Sequence, residues 1–140
     1  MKKIVVDASV VIKWFIPEIH AKAAIRLLDA PTRFLAPDLI YAEVGNILWK
    51  KLRSGELTQD AADGILNDFK KIPFEITESQ LLLEIVWQIA TQHQRTVYDS
   101  LYLALAFTKN CLFATADLTL VNALKQTNLN SLILWVEDII

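Results

Sequence analysis

A chain of 140 residues, 54% apolar and 21% charged, is long enough to bury one substantial core and too apolar to be a disordered tail. Its mean hydropathy of +0.33 is high for a soluble monomer, yet no apolar run reaches the roughly 18 residues of a membrane span. Net charge of −2 speaks against bulk attraction to nucleic acid, and a lone Cys111 with two distant histidines excludes an internal disulfide and a zinc cage.

The predicted elements alternate. Lys3 to Val6 reads as a buried strand, short and β-branched. A short helical segment over Val10 to Phe15 stops before Pro17, and a second helix runs from Glu18 to Leu28. Pro31 leads to a strand near Arg33 to Ala36, and Pro37 opens a helix from about Asp38 to Arg53, ended by Ser54-Gly55. Thr58 caps a helix reaching about Lys71, Pro73 ends it, and Phe74 to Thr77 forms a strand. Apolar helices follow over Glu78 to Gln92 and Tyr98 to Lys109. Leu112 to Thr115 is a strand, Leu118 to Lys125 a helix, and Leu132 to Val136 the last strand.

Apolar strands alternating with helices imply an α/β fold, a parallel sheet covered on both faces. No linker or repeat interrupts residues 1–140, so a single domain is expected. The run Ile4-Val5-Val6 is too short for a signal peptide, which leaves a cytoplasmic location as the expectation. The apolar surplus suggests self-association or a protein partner.

Four acids stand in surroundings that folding alone disfavours: Asp7 in IVVDAS, Glu43 in LIYAEVGNIL, Asp99 in TVYDSLYLALA and Asp117 in LFATADLTL. A carboxylate there is costly unless hydrogen-bonded, paired or bound to a metal. Few cations lie beside them in sequence, so a divalent metal is the leading explanation. Asp7 and Asp117 follow predicted strands directly, which places them at the carboxyl ends where ligands bind in open α/β sheets. At about 100° per residue, Glu43 stands at the edge of its helix's apolar stripe beside Asn46 and Lys50, and Asp99 shares a face with Tyr102, Leu103 and Ala106. Structural roles compete. Asp7 and Asp117 both precede helices as N-caps do, Asp99 suits a first helical turn, and Glu43 at its stripe edge could pair with Lys50 or snorkel to solvent. Caps do not explain an acid inside the Leu39–Ile47 face.

The ordered series VVDASV, PDLIYAEVGNIL, VYDSLYLALA and ATAD resembles the PIN domain family, and more narrowly its VapC-type toxin branch, over essentially the whole chain. That resemblance implies a three-layer α/β/α sandwich with a central, mainly parallel sheet of four or five strands. It implies an endoribonuclease whose acids hold Mg²⁺ or Mn²⁺. Asp7, Glu43, Asp99 and Asp117 match the family's four acids, Thr115 matches a hydroxyl position near the metal, and Ser9 and Asn46 match polar positions around the pocket. It further implies an RNA substrate, a small antitoxin protein as partner, and a homodimer or higher assembly, with no membrane association.

The chemistry is coherent. Phosphodiester hydrolysis needs a nucleophile at neutral pH and charge neutralisation at the phosphate, and a hard cation held by oxygen ligands supplies both. Net charge of −2 becomes +2 once the four carboxylates are set aside, with basic clusters at Lys2-Lys3, Lys50-Lys51-Arg53 and Lys70-Lys71. Other readings remain open: a PIN-like module that binds RNA or protein without turnover, or a Mg-dependent phosphohydrolase. A haloacid-dehalogenase-like enzyme wants a second acid two residues after the first, where this chain has Ser9, and a receiver domain wants an acidic pair and a late lysine. Trp14 and Phe15 are the candidates for a partner-facing groove.

Overall fold

The computed structural model describes residues 1–140. Five strands form one sheet: β1 (Lys2–Val6), β2 (Thr32–Pro37), β3 (Glu75–Thr77), β4 (Leu112–Thr115) and β5 (Ile133–Trp135). All four pairings are parallel, and the order is β3-β2-β1-β4-β5. Seven α-helices connect them: α1 (Ala8–Val11), α2 (Ala21–Ile25), α3 (Leu39–Arg53), α4 (Gln59–Lys70), α5 (Ser79–His93), α6 (Val97–Lys109) and α7 (Leu118–Leu124).

The strands read as unbroken apolar runs because both faces are covered. Ile4, Val6, Ala36 and Ala114 point into a core shared with Val10, Val11, Ile40, Val44, Leu48 and Phe69. Their strand neighbours Val5, Leu35 and Phe113 point the other way, against Leu82, Val86, Leu103 and Leu120. Period-2 alternation is present, but each face meets helices rather than water. The result is the expected α/β/α sandwich, with five strands and no antiparallel member.

Helix boundaries depart from the sequence reading at the amino end. Helix α1 starts at Ala8 because Asp7 caps it, accepting from the Val10 amide. Helix α2 begins only at Ala21, since His20 sits in the left-handed region (φ 67°) and cannot extend a helix backward. Glu18 is drawn into ion pairs with Lys13 (3.0 Å) and Lys51 (3.2 Å) instead. Pro37 closes β2 rather than opening α3.

From β1 the chain builds outward to β2 and β3, then returns to the other side of β1 for β4 and β5. That reversal opens a crevice beyond the carboxyl ends of β1 and β4, where loops diverge to opposite faces. Pairing of Val6 with Ala114 brings Asp7 alongside Thr115.

Candidate active site

The four acids converge there. A hollow of about 290 Å³ is lined by Asp7, Ser9, Glu43, Asn46, Lys50, Asp99, Tyr102 and Asp117, with Ala8, Ile47 and Phe113 between them. Thr115 stands behind Asp7. Residues from the ends of β1 and β4 and from α3 and α6 thus meet at one place, although up to 110 positions separate them (Asp7 and Asp117).

Asp7 forms the centre of a short hydrogen-bond network. The Ser9 hydroxyl donates to Oδ1 (2.5 Å), the Thr115 hydroxyl to Oδ2 (2.7 Å), and the Val10 amide to Oδ1 (3.2 Å). Ser9 Oγ in turn accepts from the Ala116 amide (3.1 Å), and Thr115 Oγ1 from the Asp117 amide (3.1 Å). These bonds stitch the β1–α1 loop to the β4–α7 loop and fix both carboxylate oxygens of Asp7. Desolvation still dominates: burial pushes the Asp7 carboxyl up to about 6 despite the three donors, and the Glu43 charge adds to the rise.

Each of the other acids has its own local support. Asp117 caps α7, its Oδ1 accepting from the Leu120 amide (3.2 Å). Asp99 lies in the first turn of α6, where Thr96 is the cap that accepts from the Asp99 amide (3.0 Å). Its carboxyl is raised, first by desolvation and then by repulsion from Asp117, while Arg95 opposes the rise. Glu43 is half-buried on α3 and accepts from the phenolic hydroxyl of Tyr102. Burial and the Asp99 charge raise it as well. The capping roles anticipated for Asp7 and Asp117 are therefore real, and they coexist with a shared hollow. Capping uses one oxygen contact of each and leaves the pile-up of charge unexplained.

Repulsion runs in sequence through the set, from Asp7 to Glu43, Glu43 to Asp99, and Asp99 to Asp117. No three His, Cys, Asp or Glu side chains lie close enough together to make a ready-built metal cage. The donor set is nonetheless the right chemistry for a hard cation, since the four acids and Ser9 offer oxygen and neither histidine lines the hollow. Mg²⁺ takes one or two carboxylates and keeps several waters, so a ring of acids around an open space suits it better than a tight cage.

Sequence reasoning assigned Tyr102 no part in the site. Tyr102 is almost wholly buried, stacks on Phe113 at 5.5 Å and anchors Glu43; within LYLALA it reads as one more core position. Lys50 lines the hollow without pairing to Glu43. Trp14 and Phe15 line a different hollow with Phe34, Leu28, Ile72 and Pro73, and the Trp14 indole donates to the Ala24 carbonyl (3.0 Å). Trp49 and Trp87 are exposed.

A strand-end acid cluster on this topology defines a class, and comparison with known proteins agrees. Residues 4–123 match the model of the PIN domain. The chain belongs to the PIN domain family. It is 34% identical over 108 residues to ribonuclease VapC3 of Pyrobaculum aerophilum, covering 74% of this chain and 81% of that protein. It is 32% identical over 127 residues to ribonuclease VapC1 of Mycobacterium tuberculosis, covering 88% and 92%. The crystal structure of PAE2754 from Pyrobaculum aerophilum superposes with a TM-score of 0.68 at 26% identity, over 97% of this chain and 85% of that one.

Proposed function

We propose that this chain is a divalent-metal-dependent endoribonuclease of the VapC type, the toxin half of a toxin–antitoxin pair. The observation that carries the reading is the convergence of Asp7, Glu43, Asp99 and Asp117 on one hollow beyond β1 and β4, with three of their carboxyls raised. Relatives named as ribonucleases, matched over most of the chain, support the substrate class.

Asp7, Asp99 and Asp117 would hold Mg²⁺ or Mn²⁺ directly or through its waters. The ion supplies positive charge against the phosphate and lowers the pKa of water. Ser9, Thr115 and the Val10 amide keep both Asp7 oxygens at fixed positions, so little reorganisation accompanies substrate binding. Glu43 has one oxygen tied to Tyr102 and the other available to orient or deprotonate the attacking water. Asn46 supplies an amide at the rim. An RNA strand is the substrate, a small antitoxin protein is the partner, and exposed apolar residues on α5 (Leu81, Leu83, Trp87) provide area for self-association or for that partner.

Cleavage of RNA by the purified chain tests the reading, with Mg²⁺, with Mn²⁺ and with chelator. Metal-dependent cuts that disappear in Asp99→Asn are expected. Cleavage indifferent to chelator, or hydrolysis of a generic aryl phosphate without any RNA cleavage, would overturn it.

A further inference from the structure

One face of α3 presents Glu43, Asn46, Ile47 and Lys50 in succession, the i, i+3, i+4, i+7 spacing that aligns side chains along a helix. All four line the acid hollow. Ile47 and Lys50 also line a second hollow of about 350 Å³, together with Lys51, Ser54 and Glu56. The two hollows therefore adjoin, and Lys50 stands on the boundary. From Glu43 to Lys50 the helix rises about 10 Å, enough to move from one nucleotide to a flanking one.

Most cations nearby are already engaged. Lys13 pairs with Glu18, and Lys51 is shared between Glu18 (3.2 Å) and Glu56 (3.1 Å). The Arg53 guanidinium lies over the Trp49 ring, 5.3 Å from its centroid. Lys50 is exposed and takes part in none of the ion pairs, despite standing at the edge of four carboxylates. Asn46, one turn earlier, is likewise exposed. A free ammonium and an amide on the wall that leads away from an acid cluster make a phosphate-binding pair, because Lys50 is the one cationic side chain that lines the acid hollow.

We propose that the Asn46–Lys50 face of α3 is a subsite for the phosphodiester flanking the one that is cut, with the RNA running from the acid hollow over Ile47 into the hollow beside Lys51 and Ser54. This rests on the ribonuclease reading above. Lys50 supplies the charge and Asn46 a directional donor. Lys51 takes no part, since its ammonium already holds two carboxylates.

The test is steady-state cleavage of an end-labelled, single-stranded RNA of mixed sequence by the parent, Lys50→Ala, Lys50→Arg and Lys51→Ala, from about 50 to about 200 mM KCl. Lys50→Ala is expected to raise KM about tenfold with kcat within about twofold, and to flatten log KM against log salt by about 0.7, the contribution of one single-strand phosphate contact. Lys50→Arg restores most of the binding, and Lys51→Ala leaves the salt slope at the parent value. An unchanged KM and slope in Lys50→Ala would overturn the subsite. So would a Lys50→Ala protein whose only change is tighter Mg²⁺ binding in a thermal-shift titration, which would make Lys50 a counter-ion to the acids. A parent that cuts no RNA at all would bring down the ribonuclease reading itself, a result distinct from either.

Discussion

The two ends of the same strands carry hollows of opposite character. At the amino ends of β1, β2 and β4, about 200 Å³ is lined mainly by Ile4, Leu27, Leu112, Leu134 and Ile139, with Lys2, Thr32 and Asp138 at its edge, and Arg26 there donates to the Ile139 carbonyl (3.1 Å). Its surfaces are mostly aliphatic and its guanidinium has a partner. At the carboxyl ends of β1 and β4, four carboxylates face about 290 Å³, and three have their acidity weakened by burial and by one another. Folding is served by the first arrangement and opposed by the second. Where a chain keeps uncompensated charge that stability alone would remove, a ligand of opposite charge is the physical reason to keep it.

Asp7→Asn should separate the two ends most sharply. Cleavage is expected to fall by on the order of 10³-fold, while the metal-free protein gains about 1–3 kcal/mol, since a carboxyl that burial pushes up to about 6 is replaced by a neutral amide. Activity assays and chemical denaturation in chelator measure the pair of effects. Leu27→Ala, at the buried wall of the amino-end hollow, should do the reverse. A loss of about 2–4 kcal/mol is expected, with cleavage per folded molecule unchanged.

pH sharpens the contrast. Asp7 binds its proton more tightly folded than unfolded, so in chelator its contribution favours folding most below its unfolded pKa of 3.8 and is lost as pH rises to about 6 and beyond. The stability difference between the parent and Asp7→Asn should therefore grow across that window and level off above it. A difference constant with pH would mean that Asp7 is not strained. Thr115→Val removes the donor to Asp7 Oδ2 and the acceptor of the Asp117 amide. A cost of about 1–2 kcal/mol is expected, with the acid limb of the cleavage profile moved to higher pH. Smallest of all, Lys51→Ala should cost under about 1 kcal/mol, because its pairs with Glu18 and Glu56 are partly solvated.

The layered fold was legible in the sequence because the apolar strands alternate with helices, and parallel pairing follows from that order. The four acids were legible for a different reason: each contradicts its apolar neighbours. Ser9 and Thr115 came through resemblance. Their actual contacts depend on β1 and β4 lying side by side, a pairing that no local pattern encodes. The role of Tyr102 was invisible because a buried aromatic in an apolar helix looks like packing, and its bond to Glu43 spans 59 positions. The late start of α2 was hidden too, since a left-handed His20 and the ion pairs of Glu18 are tertiary outcomes.

Calorimetric titration of Mn²⁺ into the metal-free protein, run in parallel on Asp99→Asn, probes the convergence of the acids most directly. A saturable site in the parent that weakens at least about tenfold in the variant, with the parent's melting temperature rising as the site fills, is the expected result. Identical binding in both proteins, or no heat beyond dilution in the parent, would contradict it.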